Sequence, residues 1–429
     1  MKNHPGNRIP KRSELMVLLS HPTGNSFVRS AVAALEQVGL LAEFWTCFAW
    51  DKNSPWSGFL PVGVRNELQR RSFHLEEPKR LRTRPGRELA RLVSNKLGWQ
   101  KMTRHESGVF SIDAVYRALD RDVASRLKNE KDSSAIRIVY AYEDSARESF
   151  RTAKEKGMRC VYDLSIGYHA SARKIFQEEA ERMPEFASTL TGLQDSEAKL
   201  ECKKEEVELA DLIVACSPFV GDTLKENGIP EEKVRVVQFG SPDAVTPRDW
   251  TAEDLKRPLR LLFAGAVGQR KGIGYILHAL RKLGRKDVEL VLLGTMPREI
   301  EMFRPYADLF RHEGPRPHGD FLALMRTCDV LILPSIFEGQ ALVILEAMAC
   351  GLAVLITPNT GAQNLVQDGR EGFVVPAHSI DALAEKISWY ADHRDALPEM
   401  GAAASIRSSQ TTWANYQSQI IAVVKEALA

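Results

Sequence analysis

Short apolar runs alternate with longer stretches of helical periodicity along this chain, and after a polar interruption the alternation starts again. "LMVLLS" (15–20) leads into a helical "SFVRSAVAALEQVG", and "LAEFWTCF" (41–48) follows. "IRIVYA" (136–141) and "RCVYDLS" (159–165) bracket a helical stretch ending at Gly157. "ADLIVACS" (210–217) and "KVRVVQFGS" (233–241) close the first series. Runs of this length that are apolar on both faces suit strands of a parallel sheet covered by helices. Residues 242–258, "PDAVTPRDWTAEDLKRP", are polar and proline-punctuated and carry no period, so they read as a linker. Then strands "LRLLFAG" (259–265), "VELVLLG" (288–294), "DVLILPS" (329–335) and "GLAVLIT" (351–357) recur with helical patterns between them.

The expectation is two Rossmann-like, doubly wound α/β domains: 1–245, a linker at 246–258, and 259–400. A helical segment at 401–429 is expected to pack back on the first domain. Such a pair places a ligand cleft between the domains, at the carboxyl ends of the strands. The length of 429 residues fits two cores better than one.

With 44% apolar and 27% charged residues, the composition is that of an ordinary globular protein. A net charge of +2 argues against a dedicated nucleic-acid binder, so none is expected as a partner. The six cysteines are scattered, without CxxC or metal-ligand spacing, and point to a reducing, cytoplasmic setting. The N-terminus lacks the apolar core of a secretory signal, and no stretch approaches the ~18 apolar residues of a membrane span.

Residues 66–105 break the pattern. From Arg70 to Arg104 there are eleven lysines and arginines against Glu76, Glu77 and Glu88. Leu89, Leu92, Val93, Leu97 and Trp99 mark one apolar helix face. Two readings stand: a solvated helix packed on the domain, or a patch for an anionic membrane surface or phosphate-bearing acceptor.

The chemistry concentrates in "EGQALVILE" (338–346), where a carboxylate stands at each end of an apolar run closed by Gly351. The run reads as a short helix, apolar all round and therefore buried. A buried carboxylate without donors costs several kcal/mol, so Glu346 requires partners. About 1.5 Å rise per residue puts the two glutamates roughly 12 Å apart, matching the two ends of a nucleoside-diphosphate sugar. The ribose diol would meet Glu346, the sugar Glu338, and the diphosphate the helix N-terminus between them. The alternative makes Glu346 the partner of a neighbouring arginine and Glu338 a loop residue. One α/β unit earlier, "FAGAVGQRKGIGYILHAL" (263–280) sets Arg270 and Lys271 after the glycine turn at Gly265, suited to an anion beside backbone N–H groups.

These stretches, with "TGAQNLVQDGREGFVVP" and "ADLIVACSPFVGDTLKENGIPEEKVRVVQFG", resemble the retaining glycosyltransferases of family 4, which have the GT-B fold. The likeness is dense over 207–395 and weak before about residue 135. It implies that the E-x7-E pair binds the donor, Glu338 at the sugar and Glu346 at the ribose, with Lys271 and Arg270 at the diphosphate. Where relatives carry an arginine after the strand glycine this chain has Ala266, and "EGQA" replaces the common "EGFG". Gly339, Gln340 and Ala341 are therefore left to present sugar- or phosphate-binding amides. The glycine loop of the first domain would be "HPTGNS" (21–26) with Gly24, unless it is a plain turn. His169, in "YDLSIGYHASAR", is the candidate near the reacting sugar; otherwise it is a surface residue at a helix start.

The resemblance implies sugar transfer from a nucleoside-diphosphate sugar to an acceptor hydroxyl of a glycan or lipid-linked acceptor. Neither metal nor other cofactor is expected, because the carboxylate or histidine cluster a diphosphate-bound cation needs is missing from the motifs. Rivals are a nucleotide-sugar epimerase, a phosphorylase, or a non-catalytic partner subunit on the same fold.

Overall fold

The computed structural model describes residues 16–50, 71–129 and 135–429; the readings made for the N-terminal residues and for 66–70, Arg70 included, lie outside it. Among the described residues the chain forms two all-parallel sheets. The first contains β1 (Val17–Ser20), β2 (Leu41–Thr46), β3 (Leu81–Thr83), β4 (Ile138–Tyr142), β5 (Arg159–Leu164), β6 (Leu212–Ala215) and β7 (Val234–Val236), in the order β3-β2-β1-β4-β5-β6-β7. The second contains β8 (Leu259–Ala264), β9 (Val288–Leu293), β10 (Phe310–Glu313), β11 (Val330–Leu333), β12 (Ala353–Ile356) and β13 (Gly372–Val374), ordered β10-β9-β8-β11-β12-β13. This is the two-domain, doubly wound α/β architecture that the alternating pattern implies.

Every residue of β1, β6, β11 and β12 is buried, as strands covered by helices on both faces must be. The strands absent from the sequence reading, β3, β10 and β13, are sheet edges of only three or four residues; β3 and β10 are half-exposed and lack an apolar run, while β13 is mostly buried but short. Pairing with a neighbour, rather than a pattern of their own, makes them strands.

In each sheet the chain winds outward in one direction and then returns to wind in the other. The reversals fall between β1 and β4 and between β8 and β11, so the loops leaving these strands diverge and open a crevice. The C-terminal helix Trp413–Leu428 buries Tyr416, Ile420, Val423 and Val424 in the first domain's core. The linker is more ordered than its composition implies. Thr251 and Asp254 form a capping box for a short helix, Ala252–Lys256. On either side, Arg248 and Arg257 reach the fully buried Asp329, each at 2.8 Å, and Arg394 joins them at 2.9 Å.

One packing arrangement crosses between the domains. The helix His169–Arg182 and the turns after it emerge from the first sheet, yet Phe176, Met183, Phe186 and Leu190 belong to the core of the second. Phe186 is fully buried, with the rings of Phe303, Tyr306 and His278 at 5.8, 6.2 and 6.4 Å. Glu179 is buried beside it and accepts hydrogen bonds from Gln269 (2.6 Å) and Tyr275 (2.8 Å) of the second domain. Phe186→Ala should lower unfolding stability by about 3–5 kcal/mol, because the socket is walled by rigid rings and cannot collapse. Urea denaturation monitored by circular dichroism measures this, and a loss below ~1 kcal/mol would contradict the packing described.

Candidate functional site

Because β8 and β11 are neighbours, the loops after them meet. Gln269–Lys271 form a single helical turn ahead of the helix Ile273–Leu283, which points Arg270 and Lys271 at the loop after β11. There Glu338, 8% exposed, receives Lys271 Nζ on Oε1 at 2.5 Å and Arg270 on Oε2 at 2.8 Å. Arg270 also donates to the Phe337 carbonyl at 3.1 Å. Burial alone would push the Glu338 carboxyl up, but the two cations outweigh it and hold it below the usual carboxylate range. Gly265 makes this possible: its φ is 125°, and a Cβ there would stand 3.0 Å from Cε of Lys271.

Gly339 lies against the first domain. It pairs with Ile166 in an antiparallel bridge, and its carbonyl accepts from Ser217 Oγ at 2.6 Å. Any Cβ at 339 would fall 1.9 Å from the Ser165 carbonyl oxygen, so only glycine permits the approach. Gln340 also binds across the cleft: its Oε1 accepts from the Phe239 amide at 2.6 Å. The Ala341 amide is engaged by the Thr360 carbonyl at 3.0 Å. The Ala341 amide is thus engaged, whereas the buried Nε2 of Gln340 has no hydrogen-bond partner among the described residues, and the first amides of the helix Leu342–Ala349 follow in the chain.

Glu346 departs from the expectation of complete burial. The helix Leu342–Ala349 does bury Ile344, Leu345, Ala347, Met348 and Ala349, but its remaining face is open. The Glu346 side chain is 20% exposed, and its Oε1 lies 2.9 Å from Nε2 of His318. Its partner is thus an exposed histidine at the start of another short helix, where neither period nor motif singles it out.

His169 is the first residue of its helix and lines a cavity of about 270 Å³ together with Arg270, Phe337, Glu143, Lys203 and Asp195. Among the described residues its buried Nε2 has no hydrogen-bond partner. Burial, with Lys203 adding to it, pulls its pKa down to about 4, so the ring is neutral at pH 7. The cavity also exposes a pair that the motifs do not mark. Lys203 Nζ meets Glu143 at 2.8 Å, and despite burial Glu143 and Asp144 hold that ammonium charged. Gly24 stays apart from this group: it sits in the loop after β1, and its carbonyl accepts from Arg29. Outside the motifs, His105, Glu106 and Asp195 come within reach of a common ion, but Lys199 already stands 3.1 Å from Asp195.

The fold and the cleft together define a class: this is a GT-B protein, two Rossmann-like domains with a charged site between them. Residues 258–393 match the family of glycosyl transferases group 1, so the second domain carries that family's signature. WcaL of Salmonella typhimurium, a glycosyltransferase named for colanic acid biosynthesis, is 29% identical over 202 residues, 43% of this chain and 48% of its own. The D-inositol 3-phosphate glycosyltransferase of Corynebacterium aurimucosum is 26% identical over 264 residues, 56% of this chain and 63% of its own. The matched region thus spans about half to two thirds of those relatives. Sucrose-phosphate synthase of Thermosynechococcus elongatus superimposes with a TM-score of 0.66 at 17% identity, covering 96% of this chain and 99% of its own. HepE of Anabaena, solved with UDP and glucose, gives 0.60 at 15% identity over 96% and 100%. At these identities the two structures establish the fold.

The depressed His169 pKa has a consequence for stability. Between pH 6.5 and about 4 the unfolded chain binds a proton there that the folded chain refuses, so this residue's contribution is present above pH 6.5 and lost on acidification. His169→Gln should therefore reduce the fall in thermal midpoint measured from pH 7 to pH 4. Parallel curves for the two proteins would mean that the imidazole is solvated and titrates normally.

Proposed function

We propose that the chain transfers a hexosyl group from a nucleoside-diphosphate sugar to an acceptor hydroxyl with retention of anomeric configuration, in the manner of family 4. The observation that carries this reading is the convergence of Lys271, Arg270 and Glu338 at the mouth of the cleft, one turn before a helix that carries Glu346. The group 1 match over the second domain and the nucleotide-bound structure of HepE support it.

On this reading the diphosphate draws Lys271 and Arg270 from Glu338 onto its own oxygens, and the freed carboxylate accepts hydrogen bonds from the sugar. The ribose diol donates to Glu346, where His318 orients the carboxylate. The bond from the anomeric carbon to the leaving phosphate oxygen breaks as the acceptor oxygen attacks the same face. The acceptor proton passes to that phosphate oxygen, and the two cations stabilise the charge that grows on the diphosphate. Neutral His169 can orient a hydroxyl beside this centre without adding charge. The acceptor, a glycan or a lipid-linked sugar, enters through the cavity lined by His169, Glu143 and Lys203. The enzyme works without a metal and on the cytoplasmic side, in keeping with its six free cysteines.

A panel of nucleotide sugars with glycan and lipid-linked acceptors, read by mass spectrometry of products, tests the reading. Release of free nucleotide with an altered sugar and no glycosylated acceptor would instead mark an epimerase. Transfer is expected to persist in excess chelator. Complete loss with EDTA, restored by magnesium or manganese, would contradict the proposed donor geometry.

The residues should also differ in kind. Glu346→Gln should raise donor KM more than it lowers kcat, because the ribose contact is the same in ground and transition states. Lys271→Ala should lower kcat by roughly 10²–10³, as when a transition-state stabiliser is removed. A Glu346→Gln protein with unchanged donor affinity and only a lower melting temperature would reassign Glu346 to a structural role.

A further inference from the structure

The helix Pro85–Lys96 is inside out. Residues 89, 93 and 97 fall on one stripe at helical spacing, and that stripe faces solvent: Leu89 is 39% exposed, Val93 52% and Leu97 56%. Trp99, just beyond, is 55% exposed. The face turned to the protein is polar. It buries Ser94 and Glu88, and Glu88 receives Arg91 at 2.7 Å and Arg71 at 3.5 Å. The helix thus packs on the domain by this polar side, with Leu92 half-buried, and leaves Leu89, Val93 and Leu97 outside.

Along the chain the charge around the stripe is almost all of one sign, with Asp122 of the next helix paired to Arg84 at 3.1 Å. Glu88 is the only acidic residue between Arg82 and Arg104, and it is the buried one. Arg82, Lys96, Lys101 and Arg104 are exposed and make no ion pair among the described residues. An apolar stripe with a tryptophan, edged mainly by cations, matches a surface that is apolar within and anionic at its face. A water-filled surface gives no reason to expose these side chains, and an acidic protein partner leaves the apolar stripe unexplained.

We propose that this face docks on an anionic phospholipid bilayer, with Leu89, Val93, Leu97 and Trp99 entering the headgroup boundary and the flanking cations meeting lipid phosphates. The chain runs from Trp99 directly to His105, whose Nε2 lies 2.9 Å from Asp195, a lining residue of the His169 cavity. A short segment of chain therefore joins the docked surface to the cavity's rim. With sugar transfer in that cavity, a lipid-borne acceptor reaches it without leaving the membrane. The docking itself is independent of the transfer reading and needs no turnover to be measured.

The test is co-sedimentation of the full chain with phosphatidylcholine vesicles, with and without phosphatidylglycerol. Sedimentation is expected only with phosphatidylglycerol, and it should weaken as salt rises. Val93→Asp with Leu97→Asp, and separately Lys96→Glu with Lys101→Glu, should each cut the vesicle-bound to free ratio by roughly ten-fold or more. Circular dichroism should show both variants folded, since all four side chains are exposed. Failure of the wild-type chain to bind, equal binding to neutral vesicles, or variants that bind like wild type would each overturn the proposal. So would self-association without vesicle binding, abolished by the Val93 and Leu97 changes, which would make a second copy the occupant.

Discussion

A buried carboxylate stays ionised only where cations or hydrogen-bond donors compensate for lost water, and Glu338 obtains two cations from a single turn. That requirement organises the second domain's edge. The turn must follow β8, because β8 is the strand beside β11. It follows Gly265, whose φ of 125° favours glycine and where a Cβ would stand 3.0 Å from Cε of Lys271. The loop after β11 then presses so close to the first domain that residue 339 has no room for a Cβ. Gly265 thus accommodates the gathering of the three charges, and Gly339 lets the loop that carries Glu338 meet the first domain.

The second contact between the domains has a different physical character. Glu179 is buried with Gln269 and Tyr275 as donors, His378 at 2.8 Å, and Arg182 of its own helix at 3.2 Å. The aromatic side chains around Phe186 supply the apolar part of the same contact. One contact is therefore a set of hydrogen bonds from Ile166, Ser217 and Phe239 to the loop at Gly339 and Gln340, and the other is a packed core.

How legible this was depended on whether a residue's role is local. The long strands and the paired sheets showed in apolar runs, and Glu338, Arg270, Lys271 and Glu346 showed in motifs whose spacing is set within one α/β unit. His318 could not be found this way, because its carboxylate partner is 28 residues distant and its own helix is too short to carry a period. The Glu143–Lys203 pair is likewise a product of topology, assembled from a strand end and a helix that reads as merely charged. The basic segment was legible only in part: its periodicity marked an apolar stripe, but a moment has direction only relative to a core. Nothing in the stripe of Leu89, Val93 and Leu97 says that Glu88 and Ser94, on the other side, would be turned inward.

The crossing of the segment from His169 to Leu190 bears on how such proteins diversify. Recombination between relatives would most simply exchange everything after the linker. Here that join would bring in a foreign second sheet while leaving Phe176, Met183, Phe186 and Leu190 behind with the first. A viable hybrid would need a socket already shaped for Phe186, as the rings of Phe303 and Tyr306 are, or would have to take the crossing segment along as an insertion between β5 and β6. The unit of inheritance for the donor half of this molecule is therefore discontinuous in the gene, though continuous in space.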